Sequence, residues 1–186
     1  MLTVNSHLMD AAWKYAEGHV PIPPDPERAT QSLVSRETSG TGGVMHAVPL
    51  TLHPGTRIYR FATRGVPVDR LCQSFWWFGV SPQNALRQLA KLEQRRLGEI
   101  ARERLAVPPE WGNEMDLLVH ATVTKSLSVW SGTPRAARYK NQAGKYEDPW
   151  KPDRSITQMF IPGLRKLDRK QDVIRDVLMC HAFEDV

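Results

Sequence analysis

Three short apolar runs each carry polar side chains that can do chemistry. Arg60 lies within Arg57-Ile58-Tyr59-Arg60-Phe61-Ala62-Thr63, Ser126 and Ser128 punctuate Ser126-Leu127-Ser128-Val129-Trp130-Ser131-Gly132, and Gln158 sits inside Ser155-Ile156-Thr157-Gln158-Met159-Phe160-Ile161-Pro162. A guanidinium keeps its charge at ordinary pH and is expensive to bury alone. On a strand flanked by Tyr59 and Phe61, Arg60 therefore serves either an anion in a cleft, with bidentate phosphate binding its best-suited task, or an internal carboxylate. The hydroxyls of Ser126, Ser128 and Ser131 bond backbone or the sugar and amide groups of a ligand, with Gly132 permitting close approach. Gln158 both donates and accepts, so it fixes a hydroxyl or amide, or bonds across the sheet, but it cannot act as a general base. In the pair Trp76-Trp77, neighbouring residues on a strand point opposite ways, which lets one indole fill core while the other offers a ring face for stacking.

Other chemistries find little footing. No serine occupies a Gly-x-Ser-x-Gly elbow. The six histidines show no zinc spacing with each other or with the two cysteines, so no metal site is expected. Cys72 and Cys180 stand far apart among apolar neighbours and read as reduced, largely buried thiols. The glycines at 40, 42 and 43 lack the lysine and following hydroxyl of a phosphate-cradling loop.

The polar residues need elements to hold them. Leu8, Met9, Ala12, Trp13 and Ala16 have the spacing of one helical face, ended by Gly18 and Pro21. The proline-dense stretch 21–26 and the polar residues up to Gly43 read as an extended arm. The three polar-bearing runs read as strands, as does 116–123, which is expected to pair with 126–131 through Thr124-Lys125. Ser81 as N-cap and Pro82 as first helical residue predict a helix from 82 to 105, with Gly98 weakening its second half. A loop over 134–152 and an amphipathic helix over 168–183 complete the reading. Helices and strands mix without a βαβ rhythm, so the expected class is α+β. The expected organisation is one domain over 1–186, with an N-terminal helix and loose arm (1–50) and a main core (51–186).

With 186 residues and 41% hydrophobic content, one real core is affordable. No apolar stretch approaches the roughly 20 residues of a membrane span, and no Sec-type signal opens the chain, which points to the cytoplasm or to export by a route without that signal. The net charge of +5 and pI near 9.4 favour a polyanion, a nucleotide or an acidic partner. The cations concentrate in 87–104 and 165–175, both of which also carry acids. A non-catalytic nucleic-acid or protein binder using these two basic helices is therefore a second reading.

In order and type, Arg60 in Ile-Tyr-Arg, Ser126-Leu127-Ser128, Gln158 in Gln-Met-Phe-Ile-Pro, and the Phe-Trp-Trp-Phe run before a helix resemble the ADP-ribosyltransferase fold of bacterial toxins. That family has an arginine on an early strand, a Ser-Thr-Ser-like element on a central strand and a catalytic glutamate on a later one. The resemblance covers 56–163 and implies a split β-sheet core with flanking helices, with NAD as substrate. It implies an NAD-dependent ADP-ribosyltransferase or NAD glycohydrolase that cleaves the nicotinamide bond and passes ADP-ribose to a macromolecular acceptor or to water. Arg60, beside Tyr59, would hold the pyrophosphate, Trp76 or Trp77 would stack, and Ser126 and Ser128 would orient sugar or amide. Gln158, standing where the glutamate would be, would contact ribose. A cognate immunity protein is the partner that such a toxin implies.

Overall fold

Side chains along the central strands alternate between two environments, and this alternation builds two stacked antiparallel sheets. The computed structural model describes residues 3–19, 42–109, 112–137, 145, 152–166 and 173–186. A 3-10 turn (Ser6–Leu8) leads into α1 (Met9–Ala16), followed by β1 (Val44–Leu52), β2 (Arg57–Ala62), α2 (Val68–Leu71), β3 (Trp76–Trp77), α3 (Val80–Glu93) and α4 (Leu97–Arg104). Then come β4 (Leu117–Val123), β5 (Leu127–Pro134), β6 (Gln158–Phe160) and β7 (Leu178–Asp185). One sheet has the order β1-β5-β6-β3 and the other β2-β4-β7. The class is α+β.

The two sheets meet at an isolated bridge between Tyr59 and Phe78, whose amides exchange bonds of 2.8 and 2.9 Å. Between them lies a core of Ile58, Ala62, Leu117, Val119, Ala121 and Val123 from one sheet and Trp77, Leu127, Val129 and Met159 from the other. The far face of the three-stranded sheet, through Tyr59, Phe61 and Leu118, carries Leu86 and Ala90 of α3 and Ile100 and Ala101 of α4. The far face of the four-stranded sheet packs Phe160, with Phe75, on Ala12 and Ala16 of α1. A period of two in the strands thus separates three apolar layers.

Several expectations are corrected. The helix over 82–105 is two helices, because Gln94 takes a left-handed conformation (φ 53°) and caps α3. Gly98 is a close-approach residue, since a Cβ there would stand 2.1 Å from the Met115 carbonyl oxygen. Gly79 is the N-cap of α3, which puts Ser81 and Pro82 in its first turn. β4 and β5 form no hairpin: β4 pairs with β2 and β7, and β5 with β1 and β6. At the crossing point between sheets, Thr124 donates from its backbone N to the carbonyl of Val177 and from its hydroxyl to the carbonyl of Asp176.

The helix expected over 168–183 falls partly on residues 168–172, which lie outside the described set, and its remainder contains the strand β7. Leu178, Cys180 and Ala182 alternate as well as Val173, Ile174 and Val177 repeat helically, and pairing with β4 decides between the two patterns. The cysteines, expected as separate thiols, are brought together as a disulfide, Cys72–Cys180. The arm residues 20–41 lie outside the described set. β1 starts at Val44 and belongs to the four-stranded sheet. Among the described residues no helix is long and apolar enough to cross a membrane.

Candidate functional site

Strand alternation puts Arg60 on the same side of β2 as Ile58 and Ala62, facing the four-stranded sheet. Its guanidinium carbon stands 5.8 Å from the centroid of the Trp77 ring, within cation–π range. Its Nη1 donates to the carbonyl of Leu71, the last residue of α2. Trp77 is in turn fixed by donation from its Nε1 to the Ser74 carbonyl at 2.7 Å. Across the sheet Trp77 faces Met159, Met159 faces Ser131, and Ser131 faces Val48. Residues directly opposite in antiparallel strands share a face. A single row therefore runs from the seam under Arg60 to the edge strand, where Val48 is 57% and Leu50 47% exposed.

The remaining sequence candidates occupy other surroundings. Tyr59 points to the helical layer, its ring 6.1 Å from Phe78 and 5.0 Å from His120. Trp76 packs edge-on at 5.0 Å against Phe160 on the α1 side. The tryptophan pair thus splits between two faces, as adjacent strand residues must, and it is Trp77 that accompanies Arg60. Gln158 is 9% exposed and lies opposite Gly132. Alternation groups it with Ile156 and Phe160, whose clusters are on the faces turned away from Arg60. Thr157, which precedes the first residue of β6, is exposed.

Ser126 and Ser128 are engaged by the N-terminal segment. Val4 N donates to the Ser126 carbonyl at 3.1 Å, and the Ser128 hydroxyl bonds that of Thr3. Asn5, fully buried, accepts from Ser128 N at 2.7 Å and donates to the carbonyls of Ser128 at 2.7 Å and Pro162 at 3.0 Å. Gly132 is four positions beyond Ser128 along β5, which is about 14 Å of strand. The structure therefore unites Arg60, Trp77 and Ser131 on one face and leaves Ser126, Ser128, Tyr59, Trp76 and Gln158 elsewhere. Sequence reasoning missed Asn5, which stands just ahead of the first helix, and Met159, whose place in the row depends on register alone.

The basic stretch 87–104 is largely satisfied within the chain. Arg95 pairs with Glu93, Glu99 and Glu103, Arg104 with Glu93, and Arg87 with Glu184. Arg96 and Arg102 donate to backbone carbonyls. The hydrogen bond from Arg95 holds the Glu103 carboxyl below its usual range, and that from Arg87 does the same for Glu184. His120 sits 3.6 Å from Glu184, yet its basicity is lowered because burial outweighs the attraction of that carboxylate. Among the described residues no group of three or more His, Cys, Asp or Glu could hold a metal ion. Asp153 is depressed chiefly by a hydrogen bond from the Ser155 side chain.

No family model and no curated protein matches the chain. A solved structure described as "Rhs1-CT in complex with cognate immunity protein RhsI1" is similar over 79% of this chain and 84% of that one, at 15% identity and a TM-score of 0.44.

Proposed function

We propose that the chain is an ADP-ribosyltransferase-like toxin domain that binds NAD on the face carrying Arg60 and Trp77. One observation carries this reading: a guanidinium held against an indole at the seam of two sheets, continued by a cross-strand row of Met159, Ser131 and Val48. The guanidinium suits a pyrophosphate, and the row offers a hydroxyl and an apolar edge to the rest of a dinucleotide. The three motifs also stand on strands β2, β5 and β6 in the order that the resemblance requires.

In this reading Arg60 binds the phosphates, Trp77 fixes the guanidinium plane, and Ser131 faces the sugar side. Gln158 is buried on the face turned away from Arg60, so it lies outside this site, and without a charge it cannot offset the positive charge that develops as nicotinamide leaves. The reaction proposed is loss of nicotinamide, with ADP-ribose passing to a macromolecule or to water. An immunity protein is the partner this role calls for. The basic-helix alternative is disfavoured by the internal pairing of Arg87, Arg95 and Arg104.

The test is calorimetric titration with NAD, beside incubation with labelled NAD and cell lysate. The expected result is binding that Arg60→Ala weakens by roughly tenfold to a hundredfold, the loss of a charge-assisted pair worth about 1.5–3 kcal/mol. Absence of NAD binding by the folded wild-type chain, or equal affinity in the variant, would refute the reading. Released nicotinamide alone would indicate hydrolysis, and labelled macromolecule transfer.

A further inference from the structure

One covalent feature outside the Arg60–Trp77 pair reaches directly into it. Cys72 caps the C-terminus of α2, and Cys180 lies in β7 opposite Ala121. The two are 108 residues apart in sequence with Cα atoms 6.3 Å apart, inside the roughly 4.4–6.8 Å that a disulfide spans. The residue before Cys72 is Leu71, whose carbonyl receives Nη1 of Arg60.

α2 has four residues and cannot persist as an isolated helix, because nucleating a turn costs more than so few bonds return. Its residues 68–70 face solvent, with Val68 57% exposed. Its packing into the core rests on Leu71, at 2% exposure, and its only covalent tie to another layer is the bridge to Cys180, which packs against the same core cluster.

We infer that the Cys72–Cys180 bridge is a positioning device for Arg60: it fixes the Leu71 carbonyl that orients the guanidinium, so anion affinity at Arg60 depends on the redox state of the bridge. The inference rests on the reading of Arg60 as an anion-binding group. Both cysteines are half-buried, so a small thiol can reach them. A dithiol attacks one sulfur to give a mixed disulfide, then closes on itself and expels the protein sulfur. Two electrons and two protons pass to the protein, leaving two thiols, and the reductant departs as a cyclic disulfide. The oxidised chain is then the tighter binder and the reduced chain the looser one.

The experiment uses the full chain, oxidised and after dithiothreitol. Iodoacetamide counts free thiols by intact mass, hydrogen exchange follows the amides of 68–73, and calorimetry measures NAD affinity. The expected result is no label before reduction and two labels after it, faster exchange over 68–73, and NAD affinity about tenfold weaker. The double variant Cys72→Ser/Cys180→Ser should match the reduced protein. If that variant fails to fold by circular dichroism, reduced wild type alone carries the comparison. Two labels on untreated protein, unchanged exchange over 68–73, or equal affinity in both redox states overturns the inference. Should NAD fail to bind either form, the NAD reading falls by itself, and inorganic pyrophosphate becomes the probe. Equal pyrophosphate affinity in the two states, or none in either, then overturns the redox inference too.

Discussion

Replacing Asn5 by Ala should be among the most damaging single changes in the chain, although the residue lies outside every apolar cluster. Its amide makes three bonds of 2.7–3.0 Å to backbone atoms of Ser128 and Pro162, and it is fully buried. Truncation strips those partners without supplying others. A buried group left unsatisfied costs about 1–3 kcal/mol. The half-buried Ser128 lets water recover part of this, so a total of roughly 2–4 kcal/mol is expected. At about 2–4 °C per kcal/mol for a chain of this size, the melting temperature should fall by roughly 5–15 °C. The assay is urea denaturation followed by tryptophan fluorescence. A companion variant sharpens it: Asn5→Asp keeps the acceptor for Ser128 N but turns a second oxygen toward two carbonyl oxygens, and at pH 7 should be worse than Asn5→Ala. A loss under about 1 kcal/mol in Asn5→Ala, or an aspartate variant more stable than the alanine one at pH 7, would show that the amide is not the clamp described.

Acidification and one glycine give two further expectations. His120 has its basicity lowered by burial and Glu184 is depressed chiefly by Arg87, and both signs put the extra proton on the unfolded chain. Stability should therefore be full above about pH 6.5, decline first as the His120 imidazole takes a proton more readily in the unfolded chain than in its half-buried place, and decline again below about pH 4.5 as carboxylates protonate. His120→Gln should remove the first decline in a melting series from pH 8 to 4, and its persistence would assign that decline elsewhere. Gly132→Ala should destabilise by roughly 1–3 kcal/mol, because its Cβ would stand 2.5 Å from the Met45 carbonyl oxygen. A urea midpoint unchanged by that substitution would mean that β1 shifts freely.

What could be read in advance were the elements with strong local pattern. The strands around Arg60, Ser128 and Gln158, the first helix and the helix following Gly79 all follow from side-chain periodicity. What could not be read was set by distant partners. Leu178 to Asp185 carries helical and alternating patterns at once, and its pairing with β4 decides. Gln94 breaks a helix with no glycine or proline at the break. Cys72 and Cys180 meet only because α2 and β7 flank the same core. Arg60 and Trp77 were both legible as candidates, but their contact depends on how the sheets stack. The cross-strand row joining Trp77, Met159, Ser131 and Val48 depends on register, which no short motif encodes.

The strand order has a consequence for how the molecule comes into being on the ribosome. β4 draws one neighbour from well upstream and the other from well downstream, and Asn5 waits for Ser128 and then Pro162, 157 positions later. Nearly every pairing closes a long loop before any contact repays it. During synthesis the emerging polypeptide therefore holds apolar strands without mates until residues 178–185 appear. The apolar strands of both sheets thus depend on shielding from neighbouring chains until residues 178–185 have been made.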